Sequence, residues 1–253
     1  MARIISVFSG KGGVGKTTVT VNLGAALARM KKNVTLIDCN LTASHLGLHL
    51  GMYNPRSTLN HVLREEHSME EALHEHFTGM KIVPASLALK DLHGTDLTKL
   101  RHAISTITHK NDVIMLDSAP GIGREAMASI SASNEVLYVT TPHVPAIMDI
   151  IRCHEVASEL GVEPLGIILN MINKDKHEMT KDEVEHLTGL PVIASISYDK
   201  NIRKSLAMKM PLVSYNPGTD TSKAFIKLAS ELMGEEIIKE SGLFSILKRM
   251  RFW

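Results

Sequence analysis

The chain has 253 residues, of which 44% are hydrophobic and 22% charged, and its formal net charge is +1. Those values exclude a disordered chain and a membrane-embedded bundle, and the near-neutral balance argues against a protein that coats nucleic acid through its global charge. A chain of this size can close around a single core, so a second domain is not required.

Short, nearly continuous apolar runs at 3–9, 33–38, 81–84, 112–117, 135–140, 164–170 and 191–196 read as strands buried on both faces. Amphipathic stretches lie between most of them, at 18–31, 59–73, 97–108, 146–159 and 181–188, and a last core-like helix is expected at 222–233. This alternation predicts an α/β fold, a mostly parallel twisted sheet flanked by helices on both faces. With no repeats or low-complexity linkers inside it, the stretch 1–241 reads as one domain. An acidic run of Glu235, Glu236 and Glu240 then leads to Gly242 and a tail of different character at 242–253.

The apolar run 4–8 is too short for a signal-peptide core, so no export is expected. No stretch approaches the roughly 18 consecutive apolar residues of a spanning helix, which leaves only peripheral membrane contact. Cys39 and Cys153 lack a CxxC spacing, which disfavours a disulfide framework or a metal ribbon and makes a reducing cytoplasm the expected compartment. The 13 histidines, His74 and His76 included, fall in no ligand pattern and read as solvated surface groups.

The densest chemistry is Gly10-Lys11-Gly12-Gly13-Val14-Gly15-Lys16-Thr17, which follows the first strand and opens a helix. That context gives the GxxxxGK[ST] pattern its meaning as a phosphate loop for ATP. Glycines let consecutive amides curl around a phosphate, and the helix N-terminus at Thr18 adds partial positive charge. Lys16 is placed to bridge the β- and γ-phosphates and Thr17 to ligate Mg²⁺. Downstream, four apolar residues end in Asp117, a carboxylate at the carboxyl end of a buried strand, where it holds Mg²⁺ through water.

KGGVGKTT, with its extra lysine at position 11, resembles the deviant Walker A motif of the MinD/ParA family. The resemblance extends over nearly the whole chain, through Asp38, Asp117-Ser118-Ala119-Pro120-Gly121, Asn170 and the C-terminal tail. It implies an ATPase and an ATP-dependent homodimer in which Lys11 crosses to the partner's phosphates. It also implies attachment to the inner leaflet of the cytoplasmic membrane and a partner protein that stimulates hydrolysis. Asn170 matches the position that reads the adenine edge, although a strand-ending turn residue would look the same. Pro120-Gly121 resembles the switch that registers loss of the γ-phosphate.

At 38–40 the chain reads Asp-Cys-Asn where the family usually has Asp-x-Asp. In the family the second acid helps to position the attacking water, and Asn40 offers an amide instead. Either hydrolysis is slowed and depends on Asp38, or Asn40 orients water by hydrogen bonding and activity is normal.

Wound at about 100° per residue, the tail places Leu243, Ile246, Leu247, Met250 and Trp253 on one side, with Lys248 and Arg249 off it and Arg251 at its border. With Phe244, these residues read as a basic amphipathic helix lying in a membrane interface, a reading the family's membrane-targeting tail supports. The competing reading is a terminal helix packed on the core.

These features lead to a nucleotide-driven membrane switch, with division-site placement as the role the family suggests. A slowly hydrolysing ATP-bound scaffold is one alternative. The other is a DNA-binding partitioning ATPase, for which Lys200, Arg203, Lys204 and Lys209 supply only a modest basic cluster, so a nucleic-acid partner is not expected.

Overall fold

The computed structural model describes residues 2–235. In chain order its strands are β1 (Arg3–Phe8), β2 (Val34–Asp38), β3 (His74–Glu75), β4 (Lys81–Val83), β5 (Val113–Asp117), β6 (Glu135–Thr140), β7 (Glu163–Ile172) and β8 (Val192–Ser197). The helices are α1 (Lys16–Arg29), α2 (Leu46–His49), α3 (Leu59–Leu63), α4 (Leu100–Ser105), α5 (Arg124–Ser131), α6 (Val144–Glu159), α7 (Lys181–Thr188), α8 (Asn201–Ala207), α9 (Leu212–Tyr215) and α10 (Asp220–Met233). The tail at 242–253 lies outside the described residues.

The strands form one sheet in the order β3-β4-β2-β5-β1-β6-β7-β8. All neighbours are parallel except β3, which runs antiparallel to β4 at the edge. The apolar alternation explains the layers. In β5, Val113 and Met115 join α1 and α10 residues such as Leu23, Leu27, Phe225 and Leu228 on one face. Ile114 and Leu116 face the opposite cluster with Leu59, Leu63 and Ile104, while Tyr138, Ile147, Ile150 and Leu169 fill a third cluster around β6 and α6. Burying strands on both faces removes most of their surface from water, at about 25 cal/mol per Å² of apolar area.

The chain crosses from β5 to β6 over β1, so the strand order reverses beside β1. Crevices at such a reversal, outside the carboxyl ends of the strands, collect ligands in open α/β sheets. Register places Asp38 directly opposite Asp117 at that end.

Two predicted helices are shorter than their amphipathic pattern. The stretch 59–73 is helical only through Leu63, because Glu65 adopts φ 62°, a left-handed angle that ends the helix. Ser68 and Glu71 then form their own local turn, with Ser68 N and Oγ donating to Glu71 Oε2 at 2.7 and 2.8 Å. The stretch 97–108 breaks into a 3₁₀ turn at Leu97–Lys99 and α4. The histidines also differ from expectation, since His76 is buried and His49 and His74 are partly so. The His76 ring lies tilted against Phe77, with centroids 4.3 Å apart, and shares a hydrogen bond of 2.7 Å with Thr78.

Candidate functional site

β1 delivers the chain into the loop 9–15, and α1 begins at once after it. Gly13 and Gly15 have φ of 83° and 88°, angles that a side chain resists and that bend the backbone into a concave rim. No side chain caps α1, whose N-cap is Gly15, and its first turn holds no acidic residue. The first amides of a 14-residue helix are thus left to a ligand, and the helix dipole favours an anion there.

Two residues of the loop's end meet β5. Thr17 Oγ1 donates to Asp117 Oδ2 at 2.6 Å, and Lys16 Nζ lies 3.6 Å from Asp117 Oδ1. Thr20 Oγ1 also reaches Asp117 Oδ1 at 3.4 Å. Asp117 and Lys16 are both buried. A hydroxyl and a carboxylate in contact are hard oxygen donors suited to Mg²⁺, which takes one or two protein oxygens and completes its shell with water and phosphate. The donor set therefore fits the metal, and the uncapped amides with Lys16 fit a phosphate chain.

Asp38, fully buried, accepts from Asn40 N at 3.1 Å, Ser44 Oγ at 2.7 Å and Leu46 N at 3.0 Å. Burial pushes its carboxyl up to about 7, the charge of Asp117 adds to that, and the three hydrogen bonds pull the other way. Asp38 thereby pins the loop between β2 and α2. Asn40, the departure from the family pattern, turns its amide back to donate to Ala43 O at 2.8 Å. Thr42 N and Oγ1 both donate to Glu125 on α5, at 3.2 Å for the backbone amide, so the loops after β2 and β5 are tied together. On the other side Gly121 N donates to Ser9 O at 2.9 Å.

Asn170, near the carboxyl end of β7, is buried against the loop, and its Nδ2 donates to Val14 O at 2.8 Å. Its side chain supports the phosphate loop from behind, and a Cβ at Gly15 would lie 2.3 Å from that nitrogen. Lys11 and Gly12 are exposed at the rim with Gly13, and Lys11 has no ion-pair partner among the described residues. The segment expected to meet a membrane, from Leu243 to Trp253, cannot be placed against this site because it lies outside the described residues.

The loop borders a cavity of about 380 Å³, which Asn40, His45, His49, Pro120, Met171 and Leu206 also line. Of these, His45, His49, Met171 and Leu206 were not read from the sequence. Leu206 comes from α8, far along the chain, and no motif marks it. His45 and His49 carried a faint signal, lying four residues apart beside the Asp38 strand end.

A family model described as ParA, the NUBPL iron-transfer P-loop NTPase, matches residues 1–233. The septum site-determining protein MinD of Thermotoga maritima is 33% identical over 258 residues, covering 98% of this chain and 94% of that protein. The MinD of Pyrococcus horikoshii, solved in complex with Mg-ADP, is 33% identical, with a TM-score of 0.88 over 92% of this chain and 96% of that one. The MinC:MinD cell division complex of Aquifex aeolicus matches at 28% identity and a TM-score of 0.84, over 93% and 98%. Cys39 and Cys153 are buried in different clusters, apart from each other. With the phosphate loop, the Asp117 strand end and the sheet order all agreeing with these matches, the chain belongs to the ParA family of P-loop NTPases and is a MinD-like ATPase whose cofactors are ATP and Mg²⁺.

Proposed function

We propose that the chain is an ATP-driven switch that pairs with a second copy and attaches to the inner face of the cell membrane, and that hydrolysis releases it. The observation that carries this reading is the exposed Lys11, without an ion-pair partner among the described residues, beside uncapped helix amides and the Lys16-Thr17-Asp117 cluster. A cation left without a carboxylate at the rim of an anion site is suited to meet phosphate oxygens presented by a partner, where such a contact in a dry interface is strongest.

In this reading Gly10, Lys11, Gly12, Gly13, Val14, Gly15, Lys16, Thr17 and Thr18 hold the phosphates, and Asn170 serves the base end through its support of the loop. Thr17 and Asp117 hold Mg²⁺, which would supply charge neutralisation at the phosphates. Asp38 and Asn40 order the loop that faces the γ-phosphate. The tail at 242–253 supplies the membrane contact: each cation near an anionic leaflet contributes about 1 kcal/mol, which makes one tail marginal. Two tails on one dimer raise avidity by roughly 10²- to 10⁴-fold with no new contact. The cell-division relatives support a cell-division partner and division-site placement, with stimulation by that partner setting the release rate.

Sedimentation with anionic liposomes tests the switch in ATP, in ADP, and with a chain ending at Ser241. Pelleting is expected with ATP for the full chain alone; equal pelleting in all three arms rejects the reading.

The amide of Asn40, engaged with Ala43 O, favours a second reading, a long-lived ATP-bound scaffold with slow hydrolysis. Phosphate release from wild type and Asn40→Asp separates the two. A large gain with the acid supports the scaffold, and equal rates support the switch.

A further inference from the structure

The wall of the phosphate-loop cavity opposite the glycines contains a polar group that no motif explains. α2 brings His49 to this wall, where Leu206 from α8 also sits. Leu46, one helical turn before it, and Leu50, next to it, are buried core residues. An apolar side chain at position 49 would continue that pattern.

The histidine carries a cost. Its Nδ1 is sealed from solvent and has no hydrogen-bond partner among the described residues. Nε2 is not sealed in this way, and His49 lines the cavity. Burial holds the ring's pKa below the ordinary imidazole range; Asp117 pulls it up, while His45 and Lys209 push it further down. That direction favours the neutral ring, which carries one proton. A proton on Nδ1 would be an orphaned buried donor, a rare and unfavourable arrangement, whereas one on Nε2 stays accessible. The Nε2–H is thus the donor His49 can offer to a cavity already framed for an anion.

We propose that His49 is a nucleotide-contacting residue whose Nε2–H donates a hydrogen bond to an acceptor oxygen of the nucleotide bound beside the phosphate loop. This inference rests on the ATP-site reading and adds to it a residue outside the phosphate loop and the strand that ends in Asp117. A bond from the neutral ring to a charged oxygen is stronger than one between neutral groups, so its loss is readable as affinity.

The test measures the affinity of the full chain for Mg-ATP and Mg-ADP by isothermal titration, with wild type, His49→Phe and His49→Gln. His49→Phe keeps a planar ring but has no donor, and binding is expected to weaken roughly 10- to 100-fold. His49→Gln keeps a donor near the Nε2 position and should remain within about threefold of wild type on the same energetic scale. Loss with ATP alone places the contact on the γ-phosphate; equal loss with both nucleotides places it on a group that the two share. His49→Phe binding like wild type overturns the proposal, and so does His49→Gln losing as much as His49→Phe, which would mark a packing role. Should His49→Phe fail to fold, nitrogen-15 spectra of the wild-type imidazoles decide: the His49 Nε2 resonance is expected to move on adding Mg-ATP, and a stationary one overturns the proposal. Failure of wild type to bind Mg-ATP at all would instead sink the ATP-site reading itself.

Discussion

Gly10→Ala isolates how tightly the phosphate loop is fitted against the rest of the fold. A Cβ at Gly10 would lie 2.3 Å from Cβ of Asp149 and 3.0 and 3.1 Å from that residue's carbonyl carbon and Cα. These atoms belong to α6 itself, so no rotamer change relieves the clash; the loop and the helix must separate by on the order of 1 Å, a misplacement that can cost about 100-fold in function. Overpacking of this kind costs roughly 1–3 kcal/mol. At about 2–4 °C per kcal/mol for a chain of this size, the melting temperature should fall by roughly 2–12 °C. Gly12→Ala is the control, since the nearest atom to its Cβ is Pro120 Cγ at 4.0 Å, an ordinary contact. Differential scanning calorimetry should find Gly12→Ala close to wild type, Gly10→Ala lowered, and Gly10→Ala with Asp149→Gly partly restored. If Gly10→Ala melts with wild type and binds Mg-ATP equally well, the close fit of loop to helix is wrong.

Asn170→Ala removes the 2.8 Å bond to Val14 O and leaves that carbonyl without its side-chain donor, which should cost about 1–3 kcal/mol in urea denaturation; an unchanged midpoint would refute the supporting role. Glu125→Ala cuts the tie to Thr42, an exposed contact worth less than about 1 kcal/mol in stability. Its effect should appear instead as faster proteolytic cleavage near 41–45, and wild-type cleavage rates would count against the tie. The third concerns alkaline pH. Burial pushes the Cys153 thiol up to about 12, with the charge of Asp149 adding to it, and burial raises Cys39 as well. The folded chain keeps these protons where the unfolded chain releases them, so the stability they contribute is whole below the ordinary thiol range and is lost as pH rises through and beyond it. Denaturation midpoints should fall between pH 8 and pH 10, and fall less in Cys153→Ala; equal slopes would remove the thiol from the account.

The parallel sheet was legible because strands buried on both faces must be apolar throughout, and the runs ending at Asp38 and Asp117 stand out for that reason. The phosphate loop was legible because its glycines serve backbone geometry that few other residues permit. What stayed hidden depends on contacts between distant segments. The two-residue strand β3 has no pattern of its own and exists through pairing with β4. Helix α3 stops at a left-handed Glu65, an angle that its amphipathic pattern does not encode. In the site, Asn170 was readable as a match to a family position, but its bond to Val14 spans 156 residues of sequence. The orphaned nitrogen of His49 follows from how α2 packs, which only a three-dimensional arrangement reveals.

The end of α10 has a consequence for how any signal leaves the nucleotide site. Leu232 O accepts from Arg3 at the start of β1, and Glu235 pairs with Lys32 just beyond α1, so the described chain departs from the amino-terminal rim of the sheet. The phosphate loop occupies the opposite rim, and the 14-residue α1 separates the two by about 20 Å at 1.5 Å per residue. That distance exceeds the roughly 8 Å over which exposed charges influence one another in physiological salt. Gain or loss of a phosphate is therefore electrically silent at the exit, and news of it has to travel as movement of packed helices or as a change in how whole molecules are arranged.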